Sequence, residues 1–180
     1  MASIIEAAAQ ILETDGLEGF NTNAVARRAG VSIGSLYQYF PGKDALTVAL
    51  MRRETMRFHE EAAAALDQRS GKAALEYLIG ASVRQQFKRP VLARLLDIQE
   101  SRPALRDAVP AVDTLQSLLV TIIKRAKPGQ RRPEVVAGDL LAMIRGLVDA
   151  AGERGESDIE DLERRVRAAV FGYLSRISRG

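Results

Sequence analysis

Apolar residues recur along this chain at spacings of three and four, and glycine and proline interrupt them at helical intervals. The pattern predicts an all-α protein of about nine helices: three short ones, a long connector and five more. The first helix carries its apolar stripe on Ile4, Ala8, Ile11 and Leu12, and "SIIE" at Ser3 to Glu6 has the form of a capping box that starts it. "DGLEGF" ends it. A second helix is expected from about Thr22 to Ala29 and closes at Gly30, a residue free to take positive φ at a sharp turn. Ser32 is the expected N-cap of a third helix, "PGK" breaks the chain after it, and a fourth runs from about Lys43 to Gln68. Later breaks fall at Ser70-Gly71, Arg89-Pro90, Arg102-Pro103, Pro110 and Lys127 to Pro133. A polar linker, "GERGESD", precedes "SDIE" at Ser157 to Glu160, a second capping box that opens the final helix.

The second and third helices, joined by "AGVS", have the layout of a helix-turn-helix, whose second helix enters the DNA major groove. Ala29 permits close approach, Val31 plugs the corner, and Val25 and Ala26 face Leu36 and Phe40. A wheel at ~100° per residue turns Leu36 and Phe40 inward and Gly34, Tyr37 and Gln38 outward. Ser35 flanks that face, and Tyr39 lies at its edge within reach of a phosphate. The outward groups are a phenol, an amide, a hydroxyl and bare backbone, which suit hydrogen bonding to base edges and contact with a thymine methyl. Ile33 falls between the faces, so core packing and an apolar base contact both fit it.

Lys43 sits in the first turn of the fourth helix, where a cation opposes the macrodipole by about 0.3–1 kcal/mol. A DNA phosphate there would reverse the sign, since lysine and free amides would converge on one anion. An ordinary solvated lysine is the other reading. Thr22 and Asn23, opening the second helix, can offer a hydroxyl, an amide and backbone N–H groups to another phosphate, or simply cap the helix.

Composition narrows the chemistry. The 180 residues are 47% hydrophobic and 27% charged, enough to bury a core in a soluble protein. Cysteine is absent, which excludes disulfides, thiolate metal sites and a cysteine nucleophile and fits a reducing cytoplasm. No apolar run approaches the ~18 residues of a membrane helix, and "MASIIEAAAQ" lacks the basic region and apolar core of a secretory signal. The net charge is +3, yet the first 45 residues hold five acids against three cations, so DNA binding must rest on where the cations sit. With a single histidine, His59, and neither a nucleophile elbow nor a phosphate-binding glycine loop, no catalytic constellation forms, and neither cofactor nor metal is expected. A helical protein-interaction module with a non-functional DNA-reading surface is the alternative kept open by the acidic N-terminal quarter.

The string "TNAVARRAGVSIGSLYQYFPGKDAL", Thr22 to Leu46, together with the "DGLEGF" before it, resembles the tetracycline-repressor (TetR-like) family of bacterial regulators. The resemblance implies a DNA-binding domain over residues 1–45 and a helical effector-binding and dimerisation domain over 46–180. It implies base contacts from Ile33, Gly34 and Tyr37 with Asn23, to which the wheel adds Gln38, and phosphate contacts from Thr22, Ser35, Tyr39 and Lys43. Position 33 is often polar or basic in the family and is isoleucine here. The expected function is a cytoplasmic, homodimeric, ligand-responsive repressor acting on a palindromic double-stranded operator, with no membrane partner.

Helices four to eight are expected to surround the effector, with Phe58, His59, Tyr77, Phe87, Gln99 and Met143 as candidate lining residues or, alternatively, plain core. The last two helices are implied to pair with their copies through Leu140, Ile144, Leu147, Val166, Val170, Phe171 and Leu174; a buried core helix is the rival reading for each.

Overall fold

In the computed structural model the described residues, 1–100, 102–106 and 113–177, form ten α-helices and no strand. They are α1 (Ala2–Gly19), α2 (Thr22–Ala29), α3 (Ile33–Tyr39), α4 (Lys43–Ala63), α5 (Gly71–Lys88), α6 (Pro90–Glu100), α7 (Pro103–Arg106), α8 (Asp113–Ala126), α9 (Pro133–Glu153) and α10 (Ile159–Arg176). The chain divides into two compact units, Met1–Met56 with Arg89–Pro110 and Arg57–Lys88 with Ala111–Gly180.

In the first unit the stripe of α1 packs on Phe20, Val25, Leu36, Leu46, Leu50 and Met51. Leu92 and Leu96 of α6 and Leu105 of α7 complete this core. Because α6 packs on α1, its Leu92 and Leu96 belong to the first unit's core. Ser3 is no N-cap. The helix begins at Ala2 without a side-chain cap, and the amides of Ile4 and Ile5 bond to the Met1 carbonyl. Glu6, the other half of the expected capping box, is drawn away by two arginines. Arg53 donates to it at 2.7 Å, and Arg89 pairs with it at 3.3 Å while also gripping Glu13. Gly16, at φ 64°, breaks α1 before its last turn.

Burial pushes the Glu6 carboxyl up, but Arg89 and Arg53 outweigh burial and hold it below its usual 4.5. A depressed carboxylate stabilises the fold above its unfolded value and loses that contribution as pH falls through the lower folded value. Urea midpoints of wild type and Glu6→Gln should therefore differ at pH 7 and converge below about pH 4.5. Parallel midpoints over the whole range would remove Glu6 from the acid response.

In the second unit α5, α8, α9 and α10 enclose Leu75, Ile79, Val83, Leu119, Ile122 and Ile123. The expected continuation of α4 to Gln68 instead tightens into a 3-10 turn, Ala64–Asp67. Arg125 of α8 explains the change: it donates to the carbonyls of Leu66 and Gln68, both at 2.6 Å, which an α-helical continuation would orient differently. Asp158, not Ser157, caps α10, accepting from the Asp161 amide at 2.9 Å.

Five of the seven residues assigned to a dimer interface lie inside this core. Leu140, Val166 and Val170 are fully buried, and Ile144 and Leu174 are only 4% exposed. Their side chains fill the single chain's interior and cannot meet a second copy. Leu147 and Phe171 are half-buried against the same core.

Candidate nucleic-acid interface

The α2–α3 pair is built from local rules. The Asn21 side chain caps α2 by accepting from the Ala24 amide at 2.9 Å, leaving Thr22 and Asn23 free of that duty. Gly30 turns the chain in the left-handed region at φ 68°, and the amides of Gly30 and Val31 return to the carbonyls of Arg27 and Ala26. Ser32 caps α3, accepting from the Ser35 amide at 3.0 Å. The Ser32 and Ser35 hydroxyls are 2.8 Å apart, so Ser35 is engaged locally as well.

Leu36 and Phe40 anchor α3 in the core beside Val25. Everything else on the helix faces out. Gly34, Ser35 and Gln38 are exposed, with Tyr37 at 49% and Tyr39 at 55%. Ile33 is also exposed, at 38%, and is absent from the residues packed on the core, so its side chain points outward. A Cβ added at Gly34 would meet nothing nearer than the Ser32 hydroxyl at 3.8 Å. The Tyr37 hydroxyl lies 3.3 Å from that of Thr22, joining the two helices along this face.

Charge is sparse here. Lys43 is exposed, donates to the Leu17 carbonyl at 3.0 Å, and stands 5.4 Å from the centroid of the Phe20 ring. Those contacts offset the helix-dipole penalty with a cation–π term of about 0.5–1 kcal/mol. Sequence reasoning missed them because Leu17 is 26 residues away. Arg28 donates to Gln10 at 2.9 Å, and Arg27 is exposed beside it.

The six effector candidates are divided between the two units. Phe58, Tyr77, Phe87 and Met143 lie half-buried against the second core, and the rings of Phe58 and His59 are 6.5 Å apart. Burial lowers the His59 pKa, which favours a neutral imidazole at pH 7. Gln99 belongs to the first unit, where its side-chain carbonyl accepts from Arg102 at 3.1 Å. Of the six, Tyr77 alone lines an open cleft of about 520 Å³ with Arg69, Glu76, Arg84, Glu163 and Arg167.

On the outer side of α9 and α10, Asp139, Ala142, Gly146 and Gly172 are exposed, and the Tyr173 hydroxyl donates to Asp139. Beyond the adjoining backbone of its own helix, nothing lies within 4 Å of a Cβ added at Gly146 or Gly172.

Among the described residues no helix is long and apolar enough to cross a membrane. The family model for bacterial regulatory proteins of the tetR family matches residues 4–50, and that for the tetracyclin repressor-like C-terminal domain matches residues 70–174. The chain is 33% identical over 162 residues to the HTH-type transcriptional repressor DrrR1 of Streptomyces coeruleorubidus, covering 90% of this chain and 55% of that one. It is 33% identical over 94 residues to the HTH-type transcriptional repressor KstR of Mycolicibacterium smegmatis, covering 52% and 46%. The chain thus spans about half the length of these curated relatives. A transcriptional regulator of known structure from Rhodococcus sp. Rha1 superposes with a TM-score of 0.79 at 22% identity, covering 97% of this chain and 95% of that one, which shows a shared fold. With the helix-turn-helix and the C-terminal helices both matched, the chain belongs to the TetR family of bacterial regulatory proteins.

Proposed function

We propose that this chain is a cytoplasmic, homodimeric, sequence-specific DNA-binding repressor that a small-molecule effector releases from its operator. The observation that carries the proposal is α3 itself: Leu36 and Phe40 fix it in the core while its outward residues are uncharged and free to enter a groove. The names of DrrR1 and KstR, transcriptional repressors, support the sign of regulation. Ile33, Gly34, Tyr37 and Gln38, with Asn23, read bases; Thr22, Ser35, Tyr39 and Lys43 hold phosphates. The outward faces of α9 and α10, not their buried large residues, pair two copies, so that the operator is a palindrome. The effector binds in the second unit, and its coupling to DNA release needs only about 1–3 kcal/mol. No catalytic role is assigned.

Selection from random duplex DNA tests the reading, with an enriched palindrome as the expected result. Failure to enrich any sequence with a folded protein would leave a helical interaction module in its place. A second measurement isolates Lys43. Lys43→Ala should weaken binding to all sequences alike and flatten the salt dependence by ~0.9 in log–log slope for each phosphate it no longer neutralises. Removing the bond to Leu17 along with the lysine should cost about 1 kcal/mol of stability or less. An unchanged slope would reduce Lys43 to its contacts with Leu17 and Phe20.

A further inference from the structure

We propose that Ile33 reads the 5-methyl group of a thymine in each operator half-site. This deepens, and rests on, the DNA-binding reading above. The helix α3 runs Ile33-Gly34-Ser35-Leu36-Tyr37-Gln38-Tyr39 and has no charged side chain. Guanine presents two acceptors to the major groove, which arginine or lysine reads bidentately, and cytosine presents an amino donor that suits a carboxylate. Neither partner exists on this helix. Thymine is the base that offers an apolar group, its methyl, in the same groove.

The outward groups match that target. Ile33 is the sole aliphatic side chain on the exposed face of α3, and it lies at the first residue of the helix, where helix-turn-helix proteins contact base edges. Within the described residues it packs on no core. A β-branched residue left exposed there gains the fold nothing in helix propensity. Tyr37 is its i+4 neighbour, and with its hydroxyl at Thr22 the ring stands along the same face. Gly34 lies beside them with no side chain, and a Cβ there would touch only the Ser32 hydroxyl, at 3.8 Å. An aliphatic group, a ring flank and bare backbone together form a surface that a methyl can enter closely. On the other side of Gly34, Gln38 can bond an adenine bidentately, so the half-site should be A·T-rich.

The test deletes one methyl at a time. In the palindrome obtained by selection, each symmetry-related pair of thymines is replaced by deoxyuridine, and affinity is measured for wild type, Ile33→Ala and Ile33→Val. Burying one methyl corresponds to roughly fourfold in affinity. One thymine pair should therefore show a loss of about fourfold per half-site with wild type, nearly as much with Ile33→Val, and none with Ile33→Ala. Ile33→Arg, reselected, should prefer guanine at that position. If every uracil substitution is neutral, or damages Ile33→Ala as much as wild type, the assignment is wrong while the palindrome still upholds the regulator. If the folded protein enriches no palindrome, both the assignment and the DNA-binding reading fall.

Discussion

Gly172→Trp is expected to convert the proposed homodimer into a monomer and to lower affinity for the proposed palindromic operator by roughly 10²–10⁴-fold. That is the advantage a second, tethered reading head confers. The starting point is a steric fact about one chain: beyond the adjoining helix backbone, neither Gly172 nor Gly146 has an atom within 4 Å of where a Cβ would stand. Glycine in a helix costs about 1 kcal/mol relative to alanine, so in an isolated chain both positions are weaknesses without a local reason. In the proposed dimer, a partner helix approaching closely would supply the reason. A Cβ at 172 meets nothing beyond its own helix backbone, and a tryptophan ring built on it would stand where the proposed partner lies. Gly146→Ala serves as the control in the opposite direction, since the monomer should gain up to about 1 kcal/mol. Equilibrium sedimentation at micromolar concentration reads the first outcome. A Gly172→Trp protein that remains dimeric with unchanged operator affinity would move the interface elsewhere.

The same helices show where sequence reasoning stops. Along α10, Val166, Val170 and Leu174 mark an apolar stripe without ambiguity, but periodicity does not say whose surface that stripe meets. The structure gives it to the chain's own core and leaves Ala142, Gly146 and Gly172 exposed, against the assignment of those large residues to an interface between copies. The fate of α6 has the same cause, since Leu92 and Leu96 would suit either core. Short-range features were legible because their physics is local. Gly30 needs positive φ, Ser32 caps three residues ahead, and the wheel of α3 separates Leu36 and Phe40 from Gly34, Tyr37 and Gln38. Long-range competition was not. Ser3 to Glu6 has a capping-box pattern, yet Arg53 and Arg89, 47 and 83 residues away from Glu6, take its carboxylate. Lys43 is bound to Leu17 for the same kind of reason, and the charged residues around the second unit's cleft come from helices far apart in the chain.

Leu36 and Tyr37 are adjacent in the chain and should fail in opposite ways. Leu36 is fully buried among Val25, Phe40 and the α1 stripe. Leu36→Ala removes its packing and leaves a cavity, at a cost of about 2–5 kcal/mol. That is a large part of the ~5–15 kcal/mol that holds a domain together, so the first unit should melt early and DNA binding should vanish for every sequence. Tyr37 is 49% exposed, and the hydrogen bond between its hydroxyl and that of Thr22 is at the surface. Tyr37→Ala should change stability by about 0.5 kcal/mol or less, the range of an ordinary surface substitution. Its effect belongs to the groove: the sites selected from random DNA should change while the melting temperature does not. Circular dichroism melts and parallel selections on the two variants separate these outcomes. A normal melt for Leu36→Ala would contradict its place in the core, and an unaltered selected-site profile for Tyr37→Ala would take Tyr37 out of base reading. The two results together decide whether one short helix is held by one face and reads DNA with the other.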